Sequence, residues 1–207
     1  MKTVYVYLLD TMADWETGYV LSELNSKRYF KKDAPQITLK MVSTSLEPIH
    51  SMGGLTIVPD CTIKDIEVKK DNMLILPGAN TWNDPKHNAI LAKANEFLQN
   101  DAAVCAICGA TAALAGPGAL DERPHTSNGA GFLEMFCPDY KGQSFYVDTL
   151  SYADSNLITA GSAGGLLWAK QILAYLNVFK PDTLEAWHAY FSTGSAEHFF
   201  ALMQTLQ

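Results

Sequence analysis

The run Val104-Cys105-Ala106-Ile107-Cys108-Gly109-Ala110-Thr111-Ala112-Ala113-Leu114-Ala115 holds the residues best suited to chemistry. An apolar stretch stops at Cys108, Gly109 follows, and a small-residue, alanine-rich segment then begins with the composition of a helix. Buried strand, Cys, sharp turn and helix, in that order, describe a nucleophile elbow with a thiol in place of the more familiar serine. An elbow sets the sulfur at a helix N-terminus, where free backbone N–H groups and the positive dipole end favour the thiolate, the reactive form of cysteine. A reactive thiol at Cys108 is therefore the expectation. Cys105 belongs to the strand itself. If residues 105–108 are extended, the two Cα atoms lie about 10 Å apart, beyond the roughly 7 Å that a disulfide spans. No second Cys-x-x-Cys or histidine pair accompanies them for zinc. Cys105 reads as core, Cys61 and Cys137 as structural, and neither a metal nor a cofactor is expected.

An elbow needs a sheet behind it, and the chain supplies the pattern of one. Apolar runs alternate with helical periodicities, the signature of a parallel sheet covered on both faces. Residues 3–9 read as the first strand rather than a signal peptide. Trp15, Tyr19, Val20 and Leu24 recur at helical spacing after Asp14, a candidate N-cap. Residues 37–43 read as a strand and 48–58 as a hairpin turning at Met52-Gly53-Gly54. Asn72-Met73-Leu74-Ile75-Leu76 is a buried strand broken by Pro77-Gly78, followed by a helix over 84–99 with Pro85 in its first turn. Strands are expected at 145–150 and 156–159, and helices at 161–177 and 193–206. Gly161-Ser162-Ala163-Gly164-Gly165 lacks the spacing of a phosphate-binding loop and reads as the approach to a helix.

The chain of 207 residues is long enough to bury a core without disulfides or metal, and it reads as one domain over 1–207. Its hydrophobic fraction is 48%, and no apolar run reaches the length of about 18 residues needed to span a bilayer. The formal charge is −7, from 15 basic and 22 acidic residues, with no basic cluster. Nucleic-acid and membrane partners are excluded on that ground. Four cysteines without a regular framework point to a reducing compartment, most simply the cytoplasm.

Four local motifs, in order, resemble the ThiJ/PfpI family of the class I glutamine amidotransferase-like superfamily. They are Asp14-Trp15-Glu16 after the first strand, Leu74-Ile75-Leu76-Pro77-Gly78-Ala79, Ala106-Ile107-Cys108-Gly109, and Leu120-Asp121-Glu122-Arg123 followed by Thr126-Ser127. The resemblance implies a flavodoxin-like three-layer sandwich, a homodimer, and Cys108 as reactive centre. It also implies a buried, protonated Glu16 beside the sulfur, and an oxyanion site from backbone N–H groups near Gly78, Ala79 and Gly109. A carboxyl group beside an anion and away from water does have its pKa raised. Preorganised N–H donors are often the largest catalytic contribution.

The pattern also departs from the family. Members assigned as peptidases carry His directly after the Cys, where this chain has Gly109. Another branch has His after Thr-Thr, and the register puts Asn128 there. His125 lies three residues earlier. In an extended segment it faces away from residues 126 and 128, whereas a turn after Pro124 would aim it at Cys108, so it stays a candidate. The resemblance implies a cysteine-dependent hydrolase or lyase-type enzyme acting on a small carbonyl, amide or peptide group, with peptidase, amidase, glyoxalase-type and deglycase-type activities all in the family. The alternative is a thiol stress sensor or chaperone-like protein in which Cys108 is oxidised.

Overall fold

The computed structural model describes residues 1–206. In chain order the elements are β1 (Lys2–Tyr7), α1 (Asp14–Ser26), β2 (Ile37–Ser43), β3 (Ile49–His50), β4 (Thr56–Ile57), β5 (Cys61–Thr62), β6 (Met73–Leu76), α2 (Asn88–Gln99), β7 (Ala103–Ile107), α3 (Gly109–Ala115), α4 (Phe132–Phe136), β8 (Ser151–Asp154), β9 (Leu157–Ala160), α5 (Gly165–Leu176), α6 (Pro181–Thr193) and α7 (Ala196–Gln204). Seven strands form one sheet in the order β5-β2-β1-β6-β7-β9-β8, parallel except for β8 against β9, while β3 and β4 form a separate hairpin. The expected flavodoxin-like sandwich with a parallel-rich sheet is the observed architecture.

Strand side chains alternate between two cores. Tyr5, Tyr7, Leu74, Leu76, Val104 and Ala106 face α2 and α3. Val4, Val6, Met73, Ile75, Cys105 and Ile107 face α1, α5, α6 and α7. Cys105 is therefore core. A buried acid ties α1 to its neighbours: Glu23 accepts from the Trp187 indole N–H of α6 at 3.0 Å and from Arg28. β1 lies between β2 and β6, so connections leave it in both directions. The crevice at the carboxyl ends of the central strands is where sheets of this kind collect ligands.

Several local expectations are corrected. Residues 145–150 form no strand. Gln143–Phe145 is a 3₁₀ turn, and the edge strand begins only at Ser151. Asp14 is the first helical residue and does not cap α1; its carboxylate accepts from the hairpin's Gly53 N–H instead. Trp15 is 55% exposed and lines surface clefts beside Tyr19 rather than packing in the core or lining the pocket beside Cys108. Among the described residues no helix is long and apolar enough to cross a membrane.

The segment from β9 into α5 packs against the chain before β8. A Cβ on Gly164 would lie 2.0 Å from the Leu150 carbonyl oxygen, a backbone atom that cannot swing aside. Gly164→Ala is expected to cost about 2–3 kcal/mol through overpacking, read as a lowered denaturant midpoint with the slope unchanged.

Candidate active site

Three chain segments meet at the carboxyl ends of neighbouring strands. Cys108 follows β7, Gly78 follows β6, and Glu16 enters from the first turn of α1 after β1. Cys108 has φ 57° and ψ −125°, a backbone conformation that non-glycine residues seldom adopt. Surrounding bonds hold it there. Its N–H donates to Ala160 O at 2.9 Å, and its carbonyl accepts from the Thr111 hydroxyl at 2.6 Å. The elbow turns the half-buried side chain away from the strand and into a pocket of about 440 Å³.

Glu16 lies beneath the sulfur with no solvent exposure. Its Oε2 accepts from the Gly78 N–H at 2.7 Å and its Oε1 from the Ser162 hydroxyl at 3.0 Å. A Cβ on Gly78 would fall 2.6 Å from Glu16 Oε2 and 2.7 Å from the Cys108 Cβ. Glycine at 78 is what lets acid and thiol share one space. The Gly78 N–H is consequently occupied by Glu16, which removes it from the oxyanion donors expected from the sequence. Gly109 and Ala79 lie beside one another at the pocket: a Cβ on Gly109 would lie 3.6 Å from Ala79 N.

Asn128 reaches the sulfur as well. Its Oδ1 accepts from the Ser162 N–H at 2.7 Å, and a peptide N–H can only donate, so the amide orientation is fixed. Nδ2 then donates to Cys108 Sγ at 3.3 Å. Ser162 thus holds Glu16 through its hydroxyl and Asn128 through its backbone. Its role did not emerge from the sequence, although its position just past β9, the strand beside β7, was the signal.

Burial sets the electrostatics. It pushes the Glu16 carboxyl above its usual value, against hydrogen bonds from Gly78, Ser162 and Cys108 that favour the carboxylate. Burial also pushes the Cys108 thiol up, and the neighbouring Glu16 charge adds to this, while Asn128 and the Gly109 N–H pull it back. The seven-residue α3 does not prevail over desolvation. Burial and an acidic neighbour thus work against the thiolate that the helix terminus was expected to favour.

His125 is not part of this group. Its ring is fully buried, Nδ1 lies 2.8 Å from Arg123 O, and Nε2 lies 2.6 Å from the Tyr140 hydroxyl. The carbonyl accepts from Nδ1–H, so Nε2 accepts from tyrosine. With both nitrogens engaged, neither is available to Cys108. No turn follows Pro124: His125 lies in an extended segment bridged to Tyr146, and its ring packs on Tyr140, which places it outside the group around Cys108.

Two expected outcomes follow from this arrangement. The midpoint of Cys108 alkylation against pH is expected above the ordinary thiol value in the native protein. It should fall toward that value in Glu16→Gln, which removes the negative neighbour, and rise further in Asn128→Ala, which removes a thiolate donor. A common midpoint in all three contradicts this electrostatic account. His125→Ala is expected to cost about 2–4 kcal/mol, because it opens a cavity and leaves the Tyr140 hydroxyl unpaired. Thermal unfolding checks the loss, and the Cys108 alkylation rate below the melting range should stay within about twofold of the native rate.

Comparison with known proteins agrees with this fold. The model of the DJ-1/PfpI family matches residues 2–175. A Bacillus subtilis protein named as the uncharacterized protease YoaZ is 42% identical over 205 residues, covering 99% of this chain and 98% of the relative. A second from the same organism, the uncharacterized protease YdeA, is 30% identical over 187 residues, covering 89% and 88%. The crystal structure of a thiJ/pfpI family protein from Bacillus anthracis superposes with a TM-score of 0.96 at 40% identity, covering 100% of this chain and 98% of that one. On the match across most of its length and on this identity, the chain belongs to the DJ-1/PfpI family.

Proposed function

We propose that this protein is a cysteine-dependent enzyme of the hydrolase or lyase type, acting on a small carbonyl, amide or peptide group, with Cys108 as nucleophile. The observation that carries the reading is the convergence of an elbow thiol and a buried carboxyl on the space at Gly78, with the thiol opening into a pocket. Glu16 is the proton acceptor. The thiol proton passes to the carboxylate as sulfur bonds to the carbonyl carbon and the π electrons move onto oxygen. N–H groups of Gly109 and Ala79 are the candidate donors to that oxygen.

With an aldehyde or ketone, the proton moves on to the alkoxide and a thiohemiacetal results. With an amide, the C–N bond breaks, the amine leaves with the proton from Glu16, and water later converts the thioester to acid and free thiol. The names of the relatives, both called proteases, support the hydrolytic branch. The absence of a histidine in contact with Cys108 favours substrates that need only one proton moved. In the alternative reading Cys108 is a redox sensor; the raised thiol pKa bears on both readings alike, since both need the thiolate.

Turnover of methylglyoxal and of a peptide amide, followed with the native protein and Cys108→Ser, tests the proposal. Loss of about a thousandfold or more in Cys108→Ser, with unchanged circular dichroism, is the expected result. Glu16→Gln should lose about a hundredfold or more. Turnover retained in Cys108→Ser overturns the assignment.

A further inference from the structure

The pocket beside Cys108 has a composition that points to one class of substrate. Its aromatic surface comes from Trp82, which follows β6, and from Phe132 and Phe136 of α4, while Ala112 and Ala113 of α3 add small apolar groups. Among the described residues that line it, none carries a formal charge. Its polar side chains apart from the thiol are the carboxamides of Asn80, Asn83 and Asn128.

Each aromatic wall is arranged to present carbon. The Trp82 indole N–H is occupied by Pro77 O at 2.9 Å, so the ring offers a ligand only its π surface and edge. Behind it, Tyr7 and His87 form a buried hydroxyl–imidazole pair at 2.6 Å, and both rings pack on the indole at centroid distances of 5.7 and 5.5 Å. Burial raises the Tyr7 pKa and lowers that of His87, so the pair is neutral and brings no charge toward the pocket. On α4, the Phe132 and Phe136 rings lie 4.8 Å apart at 46°, and Phe136 remains 62% exposed. A large aromatic left open beside a nucleophile, with a second one stacked on it, is a surface for another flat or branched apolar group.

Charge works in the same direction. An anionic substrate would meet the Glu16 carboxylate beside Cys108 and would find no cation on the pocket wall to pair with. The net charge of −7 adds a long-range repulsion.

We infer that the Cys108 pocket selects uncharged carbonyl compounds bearing one aromatic or branched-alkyl substituent, and that Phe132, Phe136 and Trp82 are its specificity-determining residues. This rests on the reading of Cys108 as nucleophile. In the covalent step sulfur bonds to the carbonyl carbon, the carbon–oxygen π bond breaks, and the thiol proton ends on the oxygen through Glu16, so no further reactant is consumed. A volume of about 440 Å³ accommodates such a molecule or one residue of a peptide.

The test uses three alkylating probes that report recognition at Cys108 without requiring a known substrate: chloroacetamide, N-benzylchloroacetamide and chloroacetate. Each second-order rate at Cys108 of the intact protein, followed by mass spectrometry, is divided by the rate with glutathione. The normalised benzyl rate should exceed that of chloroacetamide by roughly tenfold or more, and chloroacetate should fall at least tenfold below it. In Phe136→Ala the benzyl-to-parent ratio should drop severalfold, and Phe136→Leu should restore part of it. Equal normalised rates for the three probes, or a ratio unmoved in Phe136→Ala, overturn this inference and leave the nucleophile reading standing. Failure of all three to label Cys108 overturns the nucleophile reading and this inference with it.

Discussion

The contact between the Cys108 thiol and the Glu16 carboxyl constrains everything around it. The two groups come from different layers of the fold, one from the end of a central strand and one from a helix packed on the opposite face of the sheet from α3. They can touch only where the strand that separates their segments carries no side chain, and Gly78 meets that condition. The approach further requires Cys108 to adopt a positive φ, so that its side chain leaves the pleat and turns toward the acid. Strain of this kind persists only where neighbours over-determine it. Here the Ala160 carbonyl, the Thr111 hydroxyl and the close-packed α5 approach do so. Local backbone cost at one residue is thus offset by a sheet that buries its central strands completely.

The same burial that stabilises the fold sets the chemistry. A helix terminus and two N–H donors favour a thiolate, but desolvation and an adjacent carboxyl disfavour it, and the second set prevails at Cys108. On the proposed reading, the nucleophile is generated by proton movement within the pair. It is not a free anion waiting for any electrophile. Such a site, if it works as proposed, discriminates by what enters the pocket, because a neutral polarised carbonyl can accept the electron pair and then the proton in one place.

Much of this was legible in the chain. Parallel strands buried on both faces read as unbroken apolar runs, so the sheet, the elbow and the Pro-Gly break at 77–78 could be found from residue order alone. The edge of the sheet could not. β8 is antiparallel and half-exposed, and Phe145-Tyr146-Val147 has strand composition yet leads through a turn, because His125 and Tyr146 pair there only as an isolated bridge. Which backbone donors remain free was equally hidden. The sequence names Gly78 as a turn glycine, but only the packed structure shows its N–H spent on Glu16. Ser162 was invisible for a related reason: a serine among glycines carries no periodicity, and its partners lie 34 and 146 residues away.

Asn128, rather than a histidine, is the side chain that donates to the sulfur. An asparagine amide donates a hydrogen bond to sulfur as an imidazole does, so it can orient the thiol and stabilise developing negative charge. It cannot take up and return a proton near neutral pH, which histidine can. His125 does not compensate, since Arg123 and Tyr140 hold both of its nitrogens. In the proposed mechanism, proton traffic at Cys108 therefore falls to Glu16. One carboxyl can receive the thiol proton and deliver it to the oxygen or nitrogen of the same bound molecule, which suffices for addition to a carbonyl. Amide cleavage asks more, because the same group must protonate the amine and then serve the incoming water. On the proposed reading, asparagine at 128 thus narrows the chemistry toward steps in which a single proton leaves sulfur and returns within one encounter.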